Sequence, residues 1–455
     1  MMTIRNNFFA TSLVSVVLYV MMGSAAHAQW YTGMSKKTGL ALCIHLDDST
    51  AELYSPLQSS EPIPVSSWGL ENGLLTIECK SIGLKMNLTR NDSIFSGYWK
   101  QGLVKEDITF FPADSIFRLN RPQTPQQPYR FDEETVTADY TDSQGNTVHL
   151  EGTLSYPKGG KRYPTIVLVS GSGQQNRDEE LFQHKPFLVL ADYLSSRGIA
   201  VLRYDDRGMG ASTGALDSAD TRLFAEDAEM MFNAVKGNAH VDPKCIGIGG
   251  HSEGGAIAPM VAARNKEVKF VVMLAGQGCT GLDVLLQQNE AIFRANGMSD
   301  SLLAIRMACM RELFGLAFGS SQKEYKAVID RHTGGLTKEQ VELIGLGRGT
   351  AFAFKQQFDS RWMQTFLSLD PAEYLPKVSC PIFALQGAKD CQVLAEPNIA
   401  AITRLAGKRV KHEVFTGLNH LFQHCSTGSP DEYMLIEETF APEAMKAIAD
   451  WILEN

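Results

Sequence analysis

The sequence predicts an α/β protein: a mostly parallel, doubly wound sheet with a helical cap, preceded by a small all-β domain. Three observations lead there. From residue 165 onward, continuous apolar runs alternate with amphipathic helix-like segments, the pattern of a parallel sheet covered on both faces. That alternation is interrupted over residues 281–370, which are helix-like almost throughout. Residues 29–118 show neither pattern; their short β-like runs recur about every ten residues, as in an antiparallel barrel or sandwich.

Taken in order, residues 1–28 have the layout of a secretory signal. Arg5 supplies the positive start, "LVSVVLYVMM" the apolar core and Ala26-His27-Ala28 the small-x-small cleavage site. The apolar run is short for a membrane span, and Gln29 stands where a lipoprotein would have cysteine. The expectation is an exported protein, periplasmic or secreted, with no membrane span after cleavage. Next come "LALCIHL", "AELYS", "LLTIEC", "LKMNLT", "IFSGYW" and "DITFFP", separated by "DDS", "ENG" and "RND". Residues 119–130, with three prolines and little apolar content, read as a linker between this domain and a catalytic domain at 131–455. Eight cysteines lack metal-type spacing and read mostly as small buried hydrophobes; Cys43 and Cys79 are the pair that export would allow to bridge. The net charge of −9 argues against a nucleic-acid partner.

The catalytic domain opens on a hairpin-like lead-in, "TVTADY" and "TVHLEGTLSYP". Strands follow at "TIVLVSG", "IAVLRYD", "CIGIGG" and "KFVVMLAG", each but the last leading into a helix; after the 281–370 insertion come "PIFALQG", a helix, "KHEVFTG" and a final helix. Gly250-His251-Ser252-Glu253-Gly254 fits G-x-S-x-G between one of these strands and its helix. A serine on so sharp a turn needs glycine neighbours so that the backbone can close, and the helix behind it supplies free N–H groups and a positive dipole end. Ser252 is therefore read as a nucleophile rather than a turn residue.

A serine hydroxyl needs a base, and the base needs an orienting acid. Asp390 in "LQGAKDCQV" and His420 in "GLNHLF" each follow a later strand, in the order serine, acid, histidine. Asp283 is the rival acid and His424 the rival base, while His251 should point away from the hydroxyl. His420 and His424 are spaced like a helical metal pair but lack a companion glutamate, so no metal is expected. The oxyanion hole should combine the N–H of Glu253 with that of Ser172, in the glycine-rich loop "SGSGQQNRD". Asp205, Asp206 and Arg207 should brace neighbouring loops by ion pairs. Within the cap, Trp362 and Phe366 are the aromatics best placed to reach a substrate pocket, with gluing of the cap to the sheet as the equal alternative.

Together "SGSGQQNRD", "LRYDDRGMGAS", "GHSEGG", "RWMQTFLSLDPAEYLPKVSCPIFALQGAKDCQV" and "GLNHLFQ" resemble the bacterial α/β-hydrolase carboxylesterases that carry an extra N-terminal β-domain. The resemblance covers residues 131–455. It implies Ser252 as nucleophile, Asp390 as acid, His420 as base, and ester hydrolysis without a cofactor. Ser170 departs from the wider superfamily, where histidine often precedes the oxyanion glycine, which leaves the second donor less fixed than the triad. The expectation is a serine carboxylesterase acting on small, short-chain acyl esters, either alone or as a homo-oligomer. A compact aminopeptidase or an acyltransferase would use the same residues, and a binding protein on an inactive hydrolase scaffold is the reading from another class.

Overall fold

The computed structural model describes residues 29–455 except Lys37, Thr38, Asp48, Leu103, 216–218 and Ala317. The leader assigned to residues 1–28 lies outside the described residues. The chain divides into two compact units. The first holds the described residues up to Ser55 and Glu61–Phe117; the second holds Pro56–Ser60 and Arg118–Asn455.

The first unit is an antiparallel sheet of β1 (Gln29–Met34), β2 (Ala41–Leu46), β3 (Ala51–Tyr54), β4 (Ser67–Glu71), β5 (Leu74–Cys79), β6 (Leu84–Asn91), β7 (Ile94–Gln101) and β8 (Val104–Ala113). Its order is β3-β2-β1-β8-β7-β6-β5-β4. Alternate residues of strands from both ends, such as Leu42 and Ile44 of β2 and Leu75 and Ile77 of β5, share one apolar core with Phe95, Trp99 and Phe110. Period-two alternation has this consequence: one face is buried and the other left to solvent. Trp99 and Phe110 belong to that core, whereas Phe111, the next residue along β8, is exposed. Cys43 and Cys79 are both buried here, and neither is bridged.

The second unit is built on a sheet of order β16-β15-β14-β13-β11-β12-β10-β9. The lead-in hairpin is β9 (Phe131–Thr141) and β10 (Thr147–Pro157), antiparallel to each other; β10 also runs antiparallel to β12. The remaining pairs are parallel: β11 (Tyr163–Val169), β12 (Ala200–Tyr204), β13 (Val241–His251), β14 (Val271–Leu274), β15 (Ile382–Gly387) and β16 (Val410–Phe415). Connections run through α1 (Pro186–Ser196), α2 (Thr221–Val235) and α3 (Glu253–Arg264). Between β14 and β15 lie α4 (Gly281–Ala295), α5 (Asp300–Phe314), α6 (Gln322–Thr333), α7 (Lys338–Leu343), α8 (Thr350–Asp359) and α9 (Arg361–Leu367). The chain then closes with α10 (Ala395–Ala406) and α11 (Pro442–Glu454).

The apolar runs read as strands are buried on both faces: every residue of β12, β14 and β15 is buried. One face packs on α2, α3 and α10 and the other on α1 and α11, giving two separate apolar cores. The insertion α4–α9 has a core of its own around Met310, Leu313, Tyr325 and Phe358. The proline-rich stretch belongs to the second unit. Arg121 donates to the carbonyls of Phe182, Met434 and Ile436, at 2.8 to 3.1 Å. Gln123 pairs with the backbone of Thr439 and Phe440. That stretch therefore docks through its polar side chains, a feature invisible to its proline content.

Candidate active site

β13 ends at His251 and α3 begins at Glu253, so Ser252 alone makes the turn, at φ 55° and ψ −115°. Its N–H donates to the Leu274 carbonyl at 2.9 Å, fastening the turn to β14. The glycines on either side are there for space. A Cβ on Gly250 would lie 2.2 Å from the Gly254 backbone, and one on Gly254 would lie 2.2 Å from the Val169 carbonyl oxygen. Helix and strand can approach this closely only without side chains.

The loops after β15 and β16 bring Asp390 and His420 together. His420 Nδ1 donates to Asp390 Oδ2 at 2.8 Å, and both residues are buried. The other carboxylate oxygen accepts the N–H groups of Gln392 (2.7 Å) and Val393 (2.9 Å), which fixes the acid's orientation. Asn419 organises the histidine loop by accepting from the N–H groups of Leu421 and Gln423. The elbow joins this pair through His251. Its ring lies 4.7 Å from that of His420, and its Nε2 is 2.9 Å from the His420 carbonyl oxygen.

The rivals sit elsewhere. Asp283 is exposed in the first turn of α4, bonded to Thr280. His424 is largely exposed between Glu438 (2.8 Å) and Glu443 (3.0 Å), and these carboxylates raise its pKa. Among the described residues, no group of three His, Cys, Asp or Glu side chains is placed to hold a metal ion.

The Glu253 N–H opens α3, where no helical carbonyl can accept it. Ser172 is exposed, and its N–H takes no part in the loop's backbone hydrogen bonding. The preceding Gly171 N–H is already taken, by Glu179 Oε1 at 2.6 Å. A Cβ on Gly171 would lie 3.3 Å from that of Ser252, so this loop runs directly beside the elbow.

The Glu253 side chain turns away from its own N–H. It accepts from Thr221 Oγ1 (2.5 Å) and from Trp362 Nε1 (3.0 Å to each oxygen). Burial pushes this carboxyl up to about 7, with the Asp220 charge adding and the two hydrogen bonds opposing. Trp362 stacks on Phe366 at 5.2 Å. Phe366 shares a small apolar cluster with Val284 and with Val393, three residues beyond the acid, and Trp362 packs against it. Trp362 thus bonds the elbow through its N–H, which fastens the cap to the sheet, and its ring packs on the cluster beside Asp390.

The "DDR" sequence divides its labour differently from expectation. Asp205 pairs with Arg177 and Arg207 with Asp142 and Asp227, all largely buried. Among the described residues Asp206 makes no ion pair: it accepts from Ser170 Oγ (2.9 Å) and the Gln175 N–H (3.0 Å). Burial holds its carboxyl well above the ordinary carboxylate range, so Ser170 meets a carboxyl there. The sequence reading missed Glu179 altogether. The one available signal was a run of acids, "RDEE", closing the glycine-rich loop.

A mixed sheet with two flanking helix layers, a serine on a strand–turn–helix elbow and an acid and histidine after later strands define an α/β-hydrolase. Comparison with known proteins agrees. The family model described as "Serine aminopeptidase, S33" matches residues 184–297. Esterase EstD of Thermotoga maritima is 26% identical over 309 residues, covering 68% of this chain and 64% of that esterase. An uncharacterised 31.7 kDa Escherichia coli protein from the traX-finO intergenic region is 24% identical over 285 residues, 62% of this chain and 88% of its own. Among solved structures, Est1E of Butyrivibrio proteoclasticus with bound ferulic acid is 17% identical (TM-score 0.41, covering 69% of this chain and 98% of Est1E). The family model and the esterase relative are in line with the resemblance of the motifs to α/β-hydrolase esterases.

Proposed function

We propose that the protein is an exported serine ester hydrolase acting on small acyl esters. The observation that carries this reading is the buried 2.8 Å bond from His420 to Asp390, on the two loops that follow β15 and β16, beside the strained serine turn. In the proposed reaction, Ser252 Oγ attacks the acyl carbonyl and its proton passes to His420, whose imidazolium is held by Asp390. The N–H groups of Glu253 and Ser172 receive the oxyanion; one such donor is typically worth about 3 kcal/mol of barrier. His420 returns the proton to the leaving alcohol, and water then releases the acyl group by the same steps in reverse order. The leader-like sequence of residues 1–28 supports export. The apolar cluster of Val284, Phe366 and Val393, on the loop side of Asp390, favours an apolar acyl group there.

The test is covalent labelling with a fluorophosphonate, followed by peptide mass mapping. Label on Ser252, and its loss in Ser252→Ala, is expected; label on another serine, or none, overturns the assignment. The serine aminopeptidase description of the matching family model favours one second reading, a compact aminopeptidase on the same triad. Preference for aminoacyl amides over all simple esters would establish it.

A further inference from the structure

His251 has an acceptor at each ring nitrogen. Nδ1 lies 2.9 Å from Glu179 Oε1, and Nε2 lies 2.9 Å from the carbonyl oxygen of His420. A neutral imidazole carries one N–H and can satisfy only one of them as donor. The carbonyl oxygen can only accept. Glu179 Oε1 already accepts the Gly171 N–H at 2.6 Å, which suits a carboxylate. Two donations from one ring require an imidazolium. Both His251 and Glu179 are buried at 7% exposure, so the charge has Glu179 as its close partner rather than water.

These bonds form a continuous strut. It runs from the Gly171 N–H through Glu179 and His251 to the carbonyl of His420. One end is the residue before Ser172, the proposed oxyanion donor, and the other is the backbone of the proposed base. The middle is the residue before the nucleophile. Glu179 itself adopts φ 52°, which a non-glycine residue holds only where surrounding contacts fix it.

We infer that His251 is a positioning residue, held as an imidazolium by Glu179, that locks the oxyanion loop and the His420 loop in register with Ser252. Its deprotonation then sets an alkaline limit to catalysis. This inference rests on the triad reading of Ser252, Asp390 and His420.

The charged groups facing His251 are Glu179 from the loop after β11, Asp390 from the loop after β15 and, when protonated, His420 from the loop after β16. Burial opposes the charge on His251, yet Glu179, the His420 carbonyl and Asp390 together raise its pKa above the ordinary value. The strut is therefore complete below about pH 6.5 and is lost as pH rises through the raised value. The cluster holds one carboxylate for each imidazole, so His420 can take the serine proton while His251 stays charged.

Glu179→Gln separates this role from a merely structural one. The amide oxygen still accepts from Gly171 and His251, but the carboxylate charge is gone and His251 gives up its proton at a lower pH. The ion pair and the neutral pair carry the same net charge, so the loss should be confined to the alkaline end. The alkaline limb of the fluorophosphonate labelling rate should move toward neutrality by about one pH unit or more, an approximately tenfold loss at the alkaline end. Nitrogen-15 NMR of the histidine rings in the intact wild-type protein, with His251→Gln assigning the signal, should show both His251 nitrogens protonated at pH 7. A single protonated nitrogen there overturns the inference, and so does a Glu179→Gln profile that superimposes on wild type. Absence of labelling in wild type at every pH would remove the nucleophile reading instead, and the NMR measurement would still decide the state of His251.

Discussion

Ser252 holds a backbone conformation that costs a non-glycine residue about 1–3 kcal/mol. The surrounding glycines make the turn geometrically open to it, but they do not remove that cost. Ser252→Gly should consequently be more stable than Ser252→Ala, by about 1 kcal/mol after glycine's greater unfolded-state freedom is counted. Denaturant midpoints of the two inactive variants measure the difference directly, and equal midpoints would mean the turn is unstrained. Asp390→Asn should lower the esterase rate about 10⁴-fold, because the amide favours the wrong imidazole tautomer; steady-state hydrolysis of an aryl ester tests this. Glu253 offers a third measurement at this scale. Its carboxyl ionises near 4.5 when unfolded and near 7 when buried. The folded chain keeps the extra proton across that window, so stability falls as pH rises through it. Glu253→Gln should abolish this fall, and its advantage over wild type should grow from pH 5 to pH 8, approaching about 3 kcal/mol. Melting curves at the two pH values check it. The placement of Ser252, Asp390 and His420 was legible because the proposed chemistry demands particular places: an elbow between strand and helix, then loops after later strands. Glu179 and the Trp362 bond to Glu253 were not, since their partners lie 72 and 109 positions away in sequence. Only the folded sheet brings those positions together.

At the scale of elements, the insertion α4–α9 was legible as helical from its periodicity, but not where it would be fastened. Two polar contacts do that. Asp220 caps α2 by accepting from the N–H groups of Arg222 and Leu223, and its second oxygen accepts from Arg361 and Thr365 of α9. Trp362 of α9 bonds Glu253 at the start of α3. The last helix of the cap is thus pinned to the starts of two sheet helices, while the apolar ring of Trp362 faces the cluster by the acid loop. Substitutions can separate these functions. Trp362→Phe keeps an aromatic ring and loses the N–H, so the acyl-length optimum on 4-nitrophenyl esters should remain at about two to six carbons. Trp362→Ala opens volume in the cluster and should shift the optimum to longer chains. If both variants keep the wild-type profile, the ring is only a fastening of the cap.

For the whole molecule, the boundary between units lies at Phe117 and Arg118 rather than within or after the proline-rich stretch. Proline content marks chain that cannot join a helix or an inner strand, but it does not tell whether that chain is docked. Here the docking comes from Arg121 and Gln123, whose side chains satisfy carbonyl and N–H groups at Phe182, Met434, Ile436, Thr439 and Phe440. Pro56–Ser60 also belongs to the catalytic unit: the Leu57 carbonyl accepts from Phe182 at 3.1 Å, and Ser60 donates to Glu180 at 2.7 Å. Two shortened chains follow from this accounting. A chain beginning at Arg118 retains the whole sheet, cap and proposed triad and loses the contacts of Pro56–Ser60. It should fold and label with fluorophosphonate at a rate close to that of the full chain, with a modestly lower melting temperature. A chain beginning at Phe131 also loses Arg121 and leaves three partly buried carbonyl groups without their donor. Hydrogen bonds from a charged donor are worth about 1.5–3 kcal/mol each. The second chain should therefore melt well below the first, by roughly 10 °C or more, although its elbow and catalytic loops are unchanged in sequence. Thermal unfolding of the two chains side by side decides the matter, and equal melting temperatures would show that the proline-rich stretch contributes nothing to the catalytic unit.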